Sequence, residues 1–239
     1  KYESALPLTT ESMIAYFLKQ QQSSHAFGGV SKLFAAATSM VFYCLRHQMG
    51  GKYMPLLTAL AISIGILGGV ATWLFTGPLA GFSLQIWAAF IAWAAFYHSG
   101  GGEAALKTNI PAHVFGALIG LLALIGTTSL AGGLGVPVAA AISVGIGAAV
   151  IVLAANIPAL GSIPSSVYGF AACAGYALLA NKLGTLTSAS LIDNPWVNAS
   201  ISMVIGALFG YVSQKIGLAL VKKAYFKGGP PLLEKGRAV

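Results

Sequence analysis

MPLLTALAISIGILGGVATWLFT, residues 54–76, decides the class of this fold. The run carries no charged side chain. It is as long as an α-helix must be to cross the hydrocarbon of a bilayer, about 20 residues at 1.5 Å each. Working outward, five more apolar runs follow, at 82–98, 111–131, 136–156, 163–181 and 196–220. They predict an all-α membrane protein with six transmembrane helices. Composition agrees: 57% of the residues are hydrophobic and 8% charged, against about 25% charged in a soluble domain. So few charges cannot cover a surface facing water, so lipid is the solvent and the bilayer the first partner.

The formal net charge is +8, and its placement argues for topology rather than nucleic acid. Lys1, Lys19, Lys32, Arg46 and Lys52 precede the apolar core. Lys215, Lys222, Lys223, Lys227, Lys235 and Arg237 lie at its far end, with only Lys107 and Lys182 between. Positive residues mark the cytoplasmic side, so both termini are expected there, attracted to anionic lipid. An even number of spans agrees. Cys44 and Cys173 form no Cys-x-x-Cys motif, which predicts free thiols, no metal and no cofactor. No apolar stretch follows Lys1 promptly enough for a signal peptide.

Residues 1–52 read as an amphipathic, cytoplasmic or interfacial region. Within it, 31–48 has an apolar middle of 13 residues flanked by Lys32 and Arg46. That suits a helix lying on the membrane. The alternative, a seventh span, would move the N-terminus outside. Residues 223–239 form a basic tail broken by Gly228, Gly229, Pro230 and Pro231.

The six spans contain a repeat. Ala61-Ile62-Ser63-Ile64-Gly65 returns 80 residues later as Ala141-Ile142-Ser143-Val144-Gly145, and Pro78-Leu79-Ala80-Gly81 as Pro158-Ala159-Leu160-Gly161. Phe90 pairs with Phe170 and Phe96 with Tyr176 at the same offset. Gly116-Ala117-Leu118-Ile119-Gly120 returns 90 residues later as Gly206-Ala207-Leu208-Phe209-Gly210. The halves are 53–131 and 132–222. Three spans per copy is an odd number, so the second copy starts on the opposite side: two inverted three-helix repeats. Such folds place their site near the midplane, where the halves meet.

That places attention on the short second and fifth runs, each following a Pro-x-x-Gly turn. They read either as pathway helices or as plain hairpins. Phe90, Trp93 and Tyr97 share one helical face, as an interfacial belt or a pore constriction. His98 precedes three glycines and reads as an interface residue, whereas His113, just after Pro111, lies deeper. The pathway-lining candidates are Phe90, Trp93, Tyr97, His113, Phe170 and Tyr176. Only Lys215 among Asp, Glu, Lys and Arg falls inside a run, which argues against an ion-coupled transporter. Ser63, Ser143, Asn198, Ser202 and Ser213 suit either an uncharged polar solute or helix packing, as do three Gly-x-x-x-Gly motifs at Gly65, Gly116 and Gly206. No paired carboxylates, metal cluster or nucleotide loop is present, so no catalytic residue is expected.

Trp87-Ala88-Ala89-Phe90-Ile91-Ala92-Trp93-Ala94-Ala95-Phe96, the Gly100-Gly101-Gly102 run and the Gly116–Gly120 block resemble the YcdZ-like family of small bacterial inner-membrane proteins, over about residues 54–218. The resemblance implies a multi-pass protein of the bacterial inner membrane and carries no catalytic residue. In layout, though not in signature residues, two three-span halves also resemble aquaporins and formate/nitrite channels. Two functions are expected from this reading. One is a passive channel or transporter for a small neutral or weakly charged solute. The other is a non-catalytic accessory subunit of a larger membrane complex. The chain would act as a homo-oligomer or with a partner in such a complex.

Overall fold

A computed structural model describes residues 35–40, 55–190 and 192–226. Its contacts divide the chain into two units, residues 1–58 and 59–239. In the first, residues 35–40 are helical; the rest of the expected N-terminal region, including the ends of 31–48, lies outside the described residues, as does the tail beyond 226.

The second unit is all-helical among the described residues. Its elements are α1 (Leu56–Thr76, whose first turn belongs to the first unit), α2 (Ile86–His98), α3 (Gly102–Leu134), α4 (Val136–Ala154), α5 (Ile163–Leu179) and α6 (Pro195–Phe226). Short 3-10 turns at Ala80–Phe82, Pro158–Leu160 and Leu183–Thr185 lie between them. The order long helix, 3-10 turn, short helix, long helix therefore occurs twice, the second time with the extra turn Leu183–Thr185 before the last helix. α1, α3, α4 and the Pro195–Val221 part of α6 are long and apolar enough to cross a membrane, while α2 and α5 are shorter apolar helices. At 1.5 Å per residue α2 is about 20 Å long, less than the roughly 30 Å of a hydrocarbon core. The chain is a multi-pass membrane protein.

Helix ends follow local chemistry. α2 stops at Ser99, and the next three residues, Gly100, Gly101 and Gly102, all take positive φ (85°, 72° and 75°), which glycine adopts without a Cβ clash. Gly135 turns α3 into α4, and Pro137 and Pro164 stand in first turns, where the missing N–H is no loss. Asn194 caps α6, its Oδ1 accepting from the backbone N–H groups of Trp196 (3.0 Å) and Val197 (3.5 Å).

One boundary differs from expectation. The third helix does not begin at Pro111 but at Gly102, with Pro111 inside it. Proline reads as a helix start in sequence. Here it costs one bond to the Lys107 carbonyl, and the helix continues on both sides. The gap between the second and third apolar runs, 99–110, shrinks to a tight turn, and Glu103, Lys107 and Asn109 become helical.

Packing centres on α3, which lies mainly against α5 and α4, while α2 lies mainly against α6, and α3 meets α6. The core shared by α2, α3, α5 and α6 is made of small residues: Ala88, Ala92, Ala117, Ala172, Cys173, Ala177 and Ala199, with Leu121 and Met203. Small residues let backbones touch. A Cβ at Gly116 would overlap the Ser166 carbonyl, one at Gly169 the His113 carbonyl, and one at Gly206 the Ala89 carbonyl. Gly120 and Gly210 are close-packed too, a Cβ there lying 2.7 Å from the Phe170 carbonyl and 2.9 Å from the Phe96 ring. Gly65 and Gly69 have nothing within 4 Å, so only two of the three expected glycine motifs pack a helix here. α4 buries one stripe, Ala139, Ser143, Gly147 and Ile151, and leaves Val136, Ile146 and Leu153 over 60% exposed, as lipid-facing side chains are.

Candidate functional site

Two buried polar stations stand at opposite ends of α2. At the first, Asn109 is fully buried on α3. Its Oδ1 accepts from the hydroxyls of Ser99 (2.9 Å), just past the end of α2, and Ser165 (3.0 Å), in the first turn of α5. Ser165 in turn bonds Ser162, the residue before α5, at 2.7 Å. One turn along α3 is His113, also fully buried. Neither of its ring nitrogens has a hydrogen-bond partner, nor have Asn109 Nδ2 and Ser166 Oγ.

At the second station, Asn198 is fully buried on α6. Its Nδ2 donates to the carbonyls of Phe82 (3.3 Å) and Ser83 (3.2 Å), at the approach to α2, and of Ile192 (3.3 Å). One turn along, Ser202 Oγ accepts from the Gln85 N–H (2.9 Å) and donates to the Asn198 carbonyl (2.8 Å). Asn198 Oδ1 and Ser200 Oγ are without partners. Thus α3 starts where α2 ends, and α6 starts where α2 begins. α5 begins at the first station and ends near the second, where Tyr176 donates to the Ile192 carbonyl (3.4 Å). α2 and α5 therefore run in opposite directions between the same two levels, with the alanine-rich core between them.

The six residues expected to line a pathway fall in different places. Trp93 is buried and donates its Nε1–H to Ser213 Oγ (3.1 Å), and the Tyr97 hydroxyl meets the same oxygen at 2.8 Å. Phe90 stacks on Trp93 with ring centres 5.9 Å apart but is 41% exposed and turned outward. Phe170 lies between Gly120 of α3 and Gly147 of α4. Tyr176 is buried at the second level, and His113 belongs to the first station. So α2 and α6 gather Trp93 and Tyr97 on Ser213, α3 and α5 hold His113, and no common aromatic ring forms. His98 is exposed at its turn.

The sequence singles out neither Asn109 nor Gln214, whereas Asn198 stands among the polar side chains expected to serve an uncharged solute or helix packing. Gln214 Oε1 accepts from the Gly102 N–H at 2.8 Å, tying α6 to the glycine turn. Asn109 escaped because Pro111 was read as the helix start. The i, i+4 spacing of Asn109 and His113 across that proline was the available signal.

Outside the stations, an apolar groove of about 270 Å³ lies between α3 and α4, with Ser143 among its lining. The long connection after α5 is clamped by Lys182 Nζ and Asp193 Oδ1 at 2.6 Å. The hydrogen bond to Lys182, with one from Ser190, holds the Asp193 carboxyl below its ordinary range, and the same pairing raises the Lys182 amine. No group of three or more His, Cys, Asp or Glu side chains able to hold a metal occurs among the described residues.

No curated protein and no solved structure matches the chain. Residues 61–218 match the family described as protein of unknown function (DUF1097), and on that match, which covers both stations and all six candidate residues, the chain belongs to that family.

Proposed function

We propose that this protein is a gated, passive pathway for a small uncharged polar solute, formed where two inverted three-helix halves meet. The halves are α1–α3 and α4–α6, and on this reading the short α2 and α5, with their turns, complete six spans. The matched element order supports it. So does matched burial: Ala59, Ser63 and Ala71 of α1 are buried like Ala139, Ser143 and Ile151 of α4, 80 residues on. Gly116 and Gly120 pack like Gly206 and Gly210, 90 residues on. The opposite directions of α2 and α5 fit an axis in the membrane plane. The positive-inside pattern supports a topology with both termini on the cytoplasmic side, beside anionic lipid, and the YcdZ-like resemblance supports a bacterial inner membrane as its place.

The observation that carries the pathway is the pair of polar stations at opposite ends of α2, each with buried polar atoms lacking partners. Side chains that merely glue membrane helices find partners, and polar groups kept open at membrane depth point to a solute. Between the stations, Ala92, Ala117, Ala172 and Met203 close the way, so passage requires the helices to part. α1, α2, α4 and α5 contain no Asp, Glu, Lys or Arg, and an unpaired ion would be costly among them. That favours an uncharged solute. The lining set therefore moves from the aromatic side chains toward Asn109, His113, Ser166, Asn198 and Ser202, and the reading is non-enzymatic.

The glycine-tight crossings favour a second reading, a rigid accessory subunit. Flux separates the two. Purified protein in proteoliposomes is expected to speed entry of urea or ammonia above that of empty vesicles. Flux equal to empty vesicles, together with obligatory co-purification with another membrane protein, would establish the accessory reading instead.

A further inference from the structure

Buried polar groups in folded proteins nearly always find a hydrogen-bond partner. Asn109, His113 and Ser166 depart from this together, at one crossing. All three are at most 1% exposed, and four of their polar atoms are unmet. The residues around them are engaged: Ser99 and Ser165 bond Asn109, and Ser162 bonds Ser165. The unmet atoms are what remains after those bonds are made.

We propose that the α3–α5 crossing at Asn109, His113 and Ser166 is a binding site for one small uncharged molecule that both donates and accepts hydrogen bonds. The chemistry of the three side chains sets the class. In a neutral imidazole one ring nitrogen donates and the other accepts, a hydroxyl does both, and an amide nitrogen donates. A ligand that only accepts, or only donates, leaves part of the set unmet. No acidic or basic side chain bonds any of the three, so a charged ligand would lack a counter-ion there. The helices set the size. α3 and α5 touch through Gly116 on Ser166 and Gly169 on His113, and the four unmet atoms are sealed from solvent, so nothing thicker than a water molecule or a planar amide of the urea type could enter without moving a backbone. These two share the required chemistry.

The site is one-sided. The position 90 residues after His113 is Met203, fully buried and without a polar atom that must be met. The equivalent crossing of α2 with α6 therefore lacks this arrangement. The proposal deepens the pathway reading by naming what its first station holds, but the two fail separately. Binding is read at the His113 ring and passage by flux. Flux without binding removes this site and keeps a pathway, while binding without flux does the reverse.

The test uses the full chain in lipid vesicles with ring-15N histidine, of which the sequence has four. The His113 signals are assigned by their loss in His113→Gln. Solid-state NMR then reads polarisation transfer to those nitrogens from water and from 13C-urea. Transfer to His113 is expected, and it should weaken in Ser166→Ala, which removes a single hydroxyl and leaves the glycine contacts in place. Transfer from water that persists in saturating urea assigns the site to water. Saturable displacement of the water signal by urea assigns it to the solute, and Ser166→Ala should then lower the apparent urea affinity roughly three- to tenfold, the size of one neutral hydrogen bond. No transfer from either source, with His113 shifts unchanged in Ser166→Ala, overturns the proposal.

Discussion

Gly116, Gly169 and Gly206 each leave a space that a neighbouring helix backbone fills. A methyl group at any of them must push two helices apart, a cost of about 1–3 kcal/mol for an overpacked core. Gly116→Ala and Gly206→Ala are therefore expected to lower the thermal unfolding midpoint in detergent, whereas Gly65→Ala and Gly69→Ala, with open space around them, should leave it unchanged or raise it. Equal losses at all four positions would contradict the packing described. The glycine motifs were visible in the sequence, but spacing gives the face of one helix and not its partner, so the motif at Gly65 read like the two that pack. Phe90 shows the same limit. Its spacing with Trp93 and Tyr97 placed the three on one face, and only the position of α6 decides that Trp93 and Tyr97 turn to Ser213 while Phe90 faces out.

At the scale of elements, helix existence was legible from apolar run length and the helix ends less so. α3 extends nine residues further back than the position of Pro111 suggests, because a proline inside a helix costs one bond and the hydrogen bonds that Asn109 accepts from Ser99 and Ser165 offset it. The connection between α5 and α6 carries a separate prediction. Asp193 is held below its ordinary value of 3.8, first by the Lys182 hydrogen bond. Its contribution to the closed loop is complete above 3.8 and is lost as pH falls through the depressed value. Lys182 is raised above its ordinary 10.5, first by the same bond. Its contribution is complete below 10.5 and is lost as pH rises through the raised value. Proteolysis of residues 182–194 should thus be flat with pH between these limits and rise at the acid end. Asp193→Asn should raise cleavage at neutral pH and remove that acid rise. The pair is half-exposed, so the effect stays local and screened by salt.

For the whole molecule, the order of elements that occurs twice follows the spacing of three short sequence blocks, and on the proposed reading these are two copies of one unit that buries the same face twice. What differs between the halves could not be read that way. The polar pair Asn109 and His113 in one crossing has Ala199 and Met203 at the corresponding places, 90 residues on, in the other, and such divergence leaves no trace in a matching block. That asymmetry permits the most direct test of the pathway. The initial rate of urea entry into proteoliposomes should be compared for the wild-type chain, His113→Leu and Met203→Leu, each first shown to be folded and inserted. His113→Leu removes both ring nitrogens at the polar station, whereas Met203→Leu keeps volume and apolarity. The account predicts entry above empty vesicles for the wild type and for Met203→Leu, and entry at the empty-vesicle rate for His113→Leu. Equal rates for all three proteins and the empty vesicles, or a His113→Leu rate equal to a conducting wild type, would contradict it.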